Sequence, residues 1–189
     1  AESINAIIVY PNSQSGSWGL SQNQINKDLS FYNLLVAKIK SSYKIDRKNM
    51  QIATWNVNSL KVRLPHVLDW LQQTGCDVLG LQELKLDNAA NAKLVAEFAA
   101  IGYNFIYNGQ KTYNGVALIS KFPLENVVLD IPEYDDVQKR VIAATVNGVR
   151  VICAYFVNGE SLISDKYQYK LAWLAQLEGY IQRELQHYP

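Results

Sequence analysis

The sequence contains few of the residues on which histidine- and cysteine-based sites depend. Its 189 residues include only two histidines, His66 and His187, and only two cysteines, Cys76 and Cys153. No Cys/His cluster has the spacing of a zinc site. Both cysteines lie in apolar, strand-like surroundings, so we expect buried, reduced thiols and a cytoplasmic protein. A histidine-based active site therefore has little to work with.

Long apolar runs and an excess of charge of one sign are also absent. No run approaches the roughly 18 apolar residues of a membrane-spanning helix, so we expect no membrane association. The formal net charge is +1, so any nucleic-acid binding would need a local basic face rather than the whole surface. A composition with 49% hydrophobic and 19% charged residues is typical of a globular domain with an appendage.

One feature that is present is a short apolar run with an abrupt polar end. Residues 76–85 read Cys-Asp-Val-Leu-Gly-Leu-Gln-Glu-Leu-Lys, which is typical of a fully buried strand in an α/β sheet. Ligands of open α/β sheets bind beyond the carboxyl ends of the strands. Glu83 is therefore a candidate functional carboxylate. Spacing alone gives equal weight to the alternative that Glu83 only marks where the strand reaches solvent.

Hydrophobic periodicity predicts alternating strands and helices, and hence the α/β class. Strands are predicted at residues 6–10, 51–55, 77–82, 103–107, 116–120, 141–146 and 149–156. Helices are predicted at residues 62–74, 89–100 and 165–185, with a further one after Asp28 or Ser30. Asn147-Gly148 predicts a tight hairpin. The acidic segment 122–138 is predicted to be a loop.

Residues 1–49 differ in character from the rest of the chain. They contain Ile-Ile-Val-Tyr-Pro-Asn, Gly16-Ser17-Trp18, Asp28-Leu29-Ser30-Phe31 and Tyr43-Lys44-Ile45-Asp46. These segments resemble the opening of α/β-hydrolase esterases related to polyhydroxybutyrate depolymerases. The Gly-x-Ser-x-Gly nucleophile motif of those enzymes occurs nowhere in this sequence. We therefore expect a short β-α appendage without independent function, and an esterase is a weak alternative.

Polar segments follow several of the strands predicted after Met50. They are Trp55-Asn56-Val57-Asn58-Ser59-Leu60, Leu81-Gln82-Glu83-Leu84-Lys85, Gly109-Gln110-Lys111-Thr112-Tyr113-Asn114-Gly115-Val116-Ala117, Gln138-Lys139-Arg140 and Tyr155-Phe156-Val157-Asn158-Gly159-Glu160. In this order they resemble the amino-terminal half of bacterial exonuclease III, of the endonuclease/exonuclease/phosphatase superfamily. The resemblance implies a truncated exonuclease III-like domain at 50–189. Its expected fold is half of the family's four-layer α/β sandwich.

The resemblance implies Mg²⁺- or Mn²⁺-dependent phosphodiester hydrolysis in double-stranded DNA, at 3′ ends and abasic sites, as in DNA repair. Such hydrolysis needs an activated water and stabilisation of charge on phosphate oxygens. Mg²⁺ suits this chemistry because it binds through one or two carboxylates and keeps waters. By resemblance, Glu83 and Asn56 hold the metal, and Asn56 and Tyr155 act in catalysis. The expected DNA contacts are Asn58, Lys85, Lys111, Asn114, Lys139, Arg140 and Asn158.

Each of these residues also has a purely structural interpretation. Tyr155 is one of twelve tyrosines and fits an ordinary strand aromatic. Asn58 and Asn114 fit turns, and Lys139 with Arg140 fits a solvated strand start. The whole set of motifs favours a functional role for Glu83, Asn56 and Tyr155. For the lysines both interpretations stay open.

The family's Gly-Asp-x-Asn and Ser-Asp-His motifs are absent from this sequence. In the family they supply the transition-state asparagine, the base-side aspartate and an aspartate–histidine pair. We therefore expect impaired catalysis by this chain alone, or a second chain that supplies the missing half. One alternative is a non-catalytic relative that binds nucleic acid or a partner. Another is a chimera of gene fragments joined at Asn49-Met50, where the only methionine lies.

Overall fold

The computed structural model describes residues 6–9, 50–89 and 92–188. These residues divide into two compact units, of which the first contains 6–9 and 50–156 and the second contains 157–188. The helix predicted after Asp28 or Ser30 lies outside the described residues, as does most of the segment that resembles an esterase. Of the helices that the described residues form, not one combines the length and apolar character needed to cross a membrane.

One sheet of the first unit carries four strands in the order β2-β3-β5-β4. They are β2 (Ile52–Asn56), β3 (Val78–Gln82), β4 (Asn104–Asn108) and β5 (Val116–Ser120). β2 and β3 are parallel, whereas β5 is antiparallel to both of its neighbours, β3 and β4. Asn56 therefore pairs with Gln82, and Gln82 pairs with Val116, at one edge of the sheet.

Helices cover one face of this sheet. They are α1 (Leu60–Thr74) and α2 (Ala92–Ala100). Alternate residues of β3 point to opposite faces, so Leu79 and Leu81 join Leu71 and Phe98 in the core beneath the helices. α1 ends at Gly75, whose φ of 60° is a left-handed conformation that favours glycine.

The second sheet of this unit has the order β1-β8-β7-β6. Its strands are β1 (Ala6–Val9), β6 (Glu125–Leu129), β7 (Val141–Val146) and β8 (Val149–Ala154). β1 runs parallel to β8, and the other pairs are antiparallel. Val78 and Leu118 of the first sheet pack with Ile142 and Val151 of the second in one apolar cluster. The two sheets are thus stacked face to face.

The predicted strands and helices of this unit are confirmed to within a few residues. Asn147 and Gly148 have φ values of 49° and 78°, as a tight hairpin requires. Both cysteines are free and buried, as predicted. The prediction of a loop throughout 122–138 is wrong, because β6 lies within it. β6 is an edge strand with four exposed residues and one intermediate residue, so it lacks the alternation that marks a half-buried strand.

The second unit, residues 157–188, consists mainly of helix α3 (Asp165–His187). The Ser164 side chain caps the helix by accepting a hydrogen bond from the Tyr167 backbone N–H. Asp165 in the first turn and His187 in the last turn complement the helix dipole. The apolar stripe predicted from the sequence is present, since Trp173, Leu177 and Ile181 are buried.

Candidate metal and phosphate site

Three polar side chains meet at one edge of the first unit, each where a strand ends. Asn56 is the last residue of β2, Glu83 follows β3, and Tyr155 follows β8. The Asn56 amide donates from Nδ2 to Glu83 Oε1 at 2.8 Å, and the Tyr155 hydroxyl donates to the same oxygen at 2.8 Å. The residues that the resemblance assigns to metal binding and catalysis therefore form one hydrogen-bonded cluster.

The backbone around this cluster adopts conformations that side chains other than glycine rarely take. The φ values are 44° at Asn58, 91° at Ser59, 56° at Glu83 and 51° at Lys85. Backbone hydrogen bonds hold these conformations in place, among them Ser59 N to Glu83 O at 2.7 Å. Strained positions of this kind collect at functional sites, where the surrounding structure offsets their cost.

Asn58 and Lys85 lie on the other side of the Glu83 carboxylate. Lys85 Nζ is 3.6 Å from Glu83 Oε2 and donates a hydrogen bond to Asn58 Oδ1. The Asn58 backbone N–H in turn donates to Asn56 Oδ1 at 3.1 Å. The Lys85 and Glu83 side chains are 34% and 23% exposed, so this ion pair contributes little to stability. It does leave a cation beside the carboxylate.

Arg140 supports Tyr155 rather than facing solvent. Its guanidinium lies 4.8 Å from the centre of the Tyr155 ring and donates to the Tyr155 backbone carbonyl at 3.1 Å. The Arg140 Nε and Nη2 groups donate to Gln138 Oε1. Burial, followed by the hydrogen bond and the charge of Glu83, raises the pKa of Tyr155 to about 12, and Arg140 opposes the shift. The hydroxyl is therefore protonated near neutral pH and is a donor.

The residues expected to contact DNA are only partly gathered around this cluster. Lys139 Nζ pairs with Asp130 Oδ2 at 2.7 Å. The Asn114 amide donates to Gln110 Oε1 at 2.8 Å, and the Asn114 carbonyl accepts from the Lys85 N–H, which ties the two loops together. Lys111 is exposed in the same loop as Asn114.

Asn158, the last of the expected DNA contacts, belongs to the second unit. Its side chain is exposed, and its Oδ1 accepts a hydrogen bond from the Glu160 backbone N–H at 3.0 Å. This contact is a local turn that fixes the loop before α3. The DNA-contacting role of Asn158 stays a prediction.

The donor set around Glu83 fits a hard divalent cation and does not fit zinc. It consists of one partly exposed carboxylate with an amide and a phenol beside it. Among the described residues there is no group of three or more His, Cys, Asp or Glu side chains that could enclose a metal ion. Mg²⁺ and Mn²⁺ are commonly held by one or two carboxylates together with waters and phosphate oxygens. Glu83 is the residue that could hold such an ion.

Sequence reasoning missed Gln82, the residue that precedes Glu83. Its side chain is fully buried between the sheets and bonds to neighbouring strands. The available signal was a glutamine within the apolar run of β3, at a position that faces the second sheet. It was overlooked because the end of an apolar run resembles a strand that reaches solvent.

The fold and the site define a class of protein, in which two stacked sheets with helices on an outer face present a carboxylate at a sheet edge. Residues 53–188 match the model of the Endonuclease/Exonuclease/phosphatase family. The chain belongs to that family, and its fold is the corresponding part of that family's mixed α/β fold.

Relatives in this family are nucleases. Exodeoxyribonuclease III of Haemophilus influenzae is 33% identical over 142 residues, which are 71% of this chain and 52% of the relative. NExo, a 3′-5′ exonuclease from Neisseria meningitidis, is 48% identical with a TM-score of 0.70, over 74% of this chain and 54% of that protein. An AP endonuclease from Archaeoglobus fulgidus is 39% identical with a TM-score of 0.67, over 71% and 51%. The chain thus spans about half the length of these relatives.

Proposed function

We propose that this chain carries the metal and phosphate site of a phosphodiesterase that acts on DNA, of the exonuclease III kind. The observation that carries the proposal is the convergence of Asn56 and Tyr155 on one oxygen of Glu83. The relatives support it, because they are named as an exodeoxyribonuclease, a 3′-5′ exonuclease and an AP endonuclease. The proposed substrate is duplex DNA with 3′ ends or abasic sites, in DNA repair.

The proposed roles follow from the donors and charges at the site. Glu83 would hold Mg²⁺ or Mn²⁺, which when bound neutralises charge on phosphate oxygens. With the carboxylate engaged, the Asn56 amide and the protonated Tyr155 hydroxyl would be free to donate hydrogen bonds to the same phosphate. Lys85 adds a positive charge beside it. These donors stabilise charge that develops during hydrolysis.

Contacts with the DNA backbone would extend from this centre. Asn58, Lys111, Asn114, Lys139 and Asn158 remain the proposed contacts, and Arg140 would act mainly through Tyr155, which it touches. Binding through such cations falls as the salt concentration rises, because counterions are released from the phosphates. A Lys111→Ala variant is therefore expected to weaken duplex binding for all sequences alike.

Catalysis by these residues alone is expected to be slow. Within the described part of the chain, the cluster around Glu83 includes neither a histidine nor a second carboxylate that could take a proton from water. General-base catalysis typically contributes about 10²- to 10⁴-fold. A partner chain that supplies a base would raise the rate.

The test is incision of a labelled duplex with a single abasic-site analogue, at low salt with Mg²⁺. Glu83→Gln keeps the shape of the side chain but removes its charge, so we expect incision to fall at least about 100-fold. The control is Glu97→Gln on α2, whose carboxylate pairs with the exposed Lys93 at 3.9 Å, away from the strand ends. Equal rates for wild type and Glu83→Gln contradict the proposal.

A second candidate function is DNA binding without turnover. It is favoured by the same single carboxylate, which can attract a cation without activating a water. Fluorescence anisotropy with a labelled duplex separates the two functions. Salt-dependent binding with no Mg²⁺-dependent product, even at high protein concentration, favours the binding function.

We also infer a reducing compartment such as the cytoplasm. Cys76 and Cys153 are both free and buried, and burial raises the pKa of both thiols. Thiols in this state need no oxidising environment. Cell fractionation of the native protein tests this inference, which recovery in a secreted fraction contradicts.

A further inference from the structure

Beneath the candidate site lies a buried polar contact that joins both sheets. The Gln82 side chain is 0% exposed. Its Nε2 group lies 2.9 Å from Thr54 Oγ1 on β2 and 3.2 Å from Cys153 Sγ on β8, and it donates to the Gly80 carbonyl within β3 at 3.2 Å. One amide nitrogen therefore contacts three strands.

These are the strands that carry the candidate site residues. Thr54 lies two residues before Asn56 on β2, and Cys153 lies two residues before Tyr155 at the end of β8. Because strand side chains alternate between faces, Thr54 points to the same side as Asn56, and Cys153 to the same side as Tyr155. Gln82 directly precedes Glu83. The amide therefore joins the strands one step below the cluster.

Stability alone does not explain a glutamine at this position. Gln82 shares its face of the sheet with Val78, which lies in an apolar cluster with Leu118 and Ile142. Within the described part of the chain, the buried Gln82 Oε1 atom has no hydrogen-bond partner. An unpaired buried carbonyl is costly, and an apolar residue of similar shape would avoid that cost.

We propose that Gln82 is a positioning residue for the site of the proposed function, on which this inference rests. Its contacts with Thr54 and Cys153 fix the spacing of β2, β3 and β8, and hence the distances from Glu83 to Asn56 and Tyr155. Groups that orient a metal ligand without touching the metal are typically worth about 10- to 100-fold in metal affinity. Gln82 thereby sets the affinity of Glu83 for a divalent cation.

The experiment uses Gln82→Met in the full chain, because methionine matches the length of glutamine without its amide. Mn²⁺ affinity is measured from the free-ion signal in electron paramagnetic resonance, and we expect it to weaken about tenfold or more. The second readout needs no metal: the Asn56 side-chain amide in ¹⁵N–¹H spectra. We expect its two proton signals to move together in Gln82→Met, as its hydrogen bond to Glu83 is lost.

The matched control is Ser120→Ala, which also removes a buried polar group from the same sheet. Ser120 pairs with Val78 at the opposite edge, and its Oγ accepts a hydrogen bond from the Phe122 N–H at 3.0 Å. A conservative pair tests the contact from its other side. Cys153→Ser keeps an acceptor for Gln82 and should retain wild-type Mn²⁺ affinity, whereas Cys153→Val should behave like Gln82→Met.

The two readouts separate this inference from the proposed function. If the wild type binds no Mn²⁺ but Gln82→Met still changes the Asn56 amide signals, the proposed function fails and the positioning role stands. If Gln82→Met lowers the melting temperature as Ser120→Ala does, with Asn56 signals and Mn²⁺ affinity unchanged, the positioning role is overturned. Should Gln82→Met not fold, Thr54→Val carries the same decision, because it removes the bond from the exposed edge strand.

Discussion

The two edges of the β2-β3-β5-β4 sheet each hold a carboxylate beside a lysine, yet they differ in what surrounds the pair. At one edge Lys121 Nζ lies 3.3 Å from Asp77 Oδ1, and at the other Lys85 Nζ lies 3.6 Å from Glu83 Oε2. The second oxygen of Asp77 accepts from the Gln51 backbone N–H. The corresponding oxygen of Glu83 accepts only from side chains among the contacts described above, those of Asn56 and Tyr155.

The backbone differs between the two edges as well. Left-handed conformations at the Asp77 edge fall on Gly75 and Gly102, where they are tolerated without strain. Those at the Glu83 edge fall on Asn58, Ser59 and Glu83 itself. The comparison teaches that a carboxylate–lysine pair does not by itself mark a site. Side-chain donors that converge on one oxygen in strained backbone are the stronger indication.

The largest effect is expected from removing one hydroxyl at each edge. Tyr155→Phe removes the donor to Glu83 and should lower the kcat of incision about 100-fold with little change in KM. Tyr103→Phe removes a buried hydroxyl that donates to the Cys76 carbonyl at 2.8 Å on the opposite edge. It should cost about 1 kcal/mol of stability and leave the rate unchanged. Equal kcat values for the two variants would remove the distinction between the edges.

A smaller effect of opposite sign is expected from exchanging residues at left-handed positions. Gly75→Ala places a side chain at φ 60° and should destabilise the protein by about 1 kcal/mol. Lys85→Gly relieves the strain at φ 51°, so its melting temperature should equal or exceed that of the wild type. Thermal unfolding monitored by near-UV circular dichroism measures both. A lower melting temperature for Lys85→Gly than for Gly75→Ala contradicts the assignment of strain to the Glu83 edge.

Sequence patterns were most informative where they are local. The apolar runs predicted the buried strands, and the polar residues that follow β2, β3 and β8 pointed to Asn56, Glu83 and Tyr155. β6 was missed because its exposed edge position removes alternation from its sequence. The pairing of Lys139 with Asp130 depends on a register that the segment 122–138 does not encode in any periodic pattern.

Contacts across the stacked sheets could not be predicted from the sequence. The contact of Gln82 with Cys153 joins residues 71 positions apart, and that of Tyr155 with Glu83 spans 72. Each depends on how the two sheets stack, which no spacing along the chain specifies. For the same reason Arg140 read as a solvated strand start, although its side chain lies against the Tyr155 ring.

The most direct test of the central claim is a Mn²⁺ titration of three proteins, followed by electron paramagnetic resonance: the wild type, Glu83→Gln and Asp77→Asn. Each variant neutralises one of the two carboxylates that face a lysine at a sheet edge. The account predicts that Asp77→Asn binds Mn²⁺ as the wild type does, whereas Glu83→Gln loses the ion. Unchanged Mn²⁺ affinity in Glu83→Gln, or its loss in Asp77→Asn, would contradict the account.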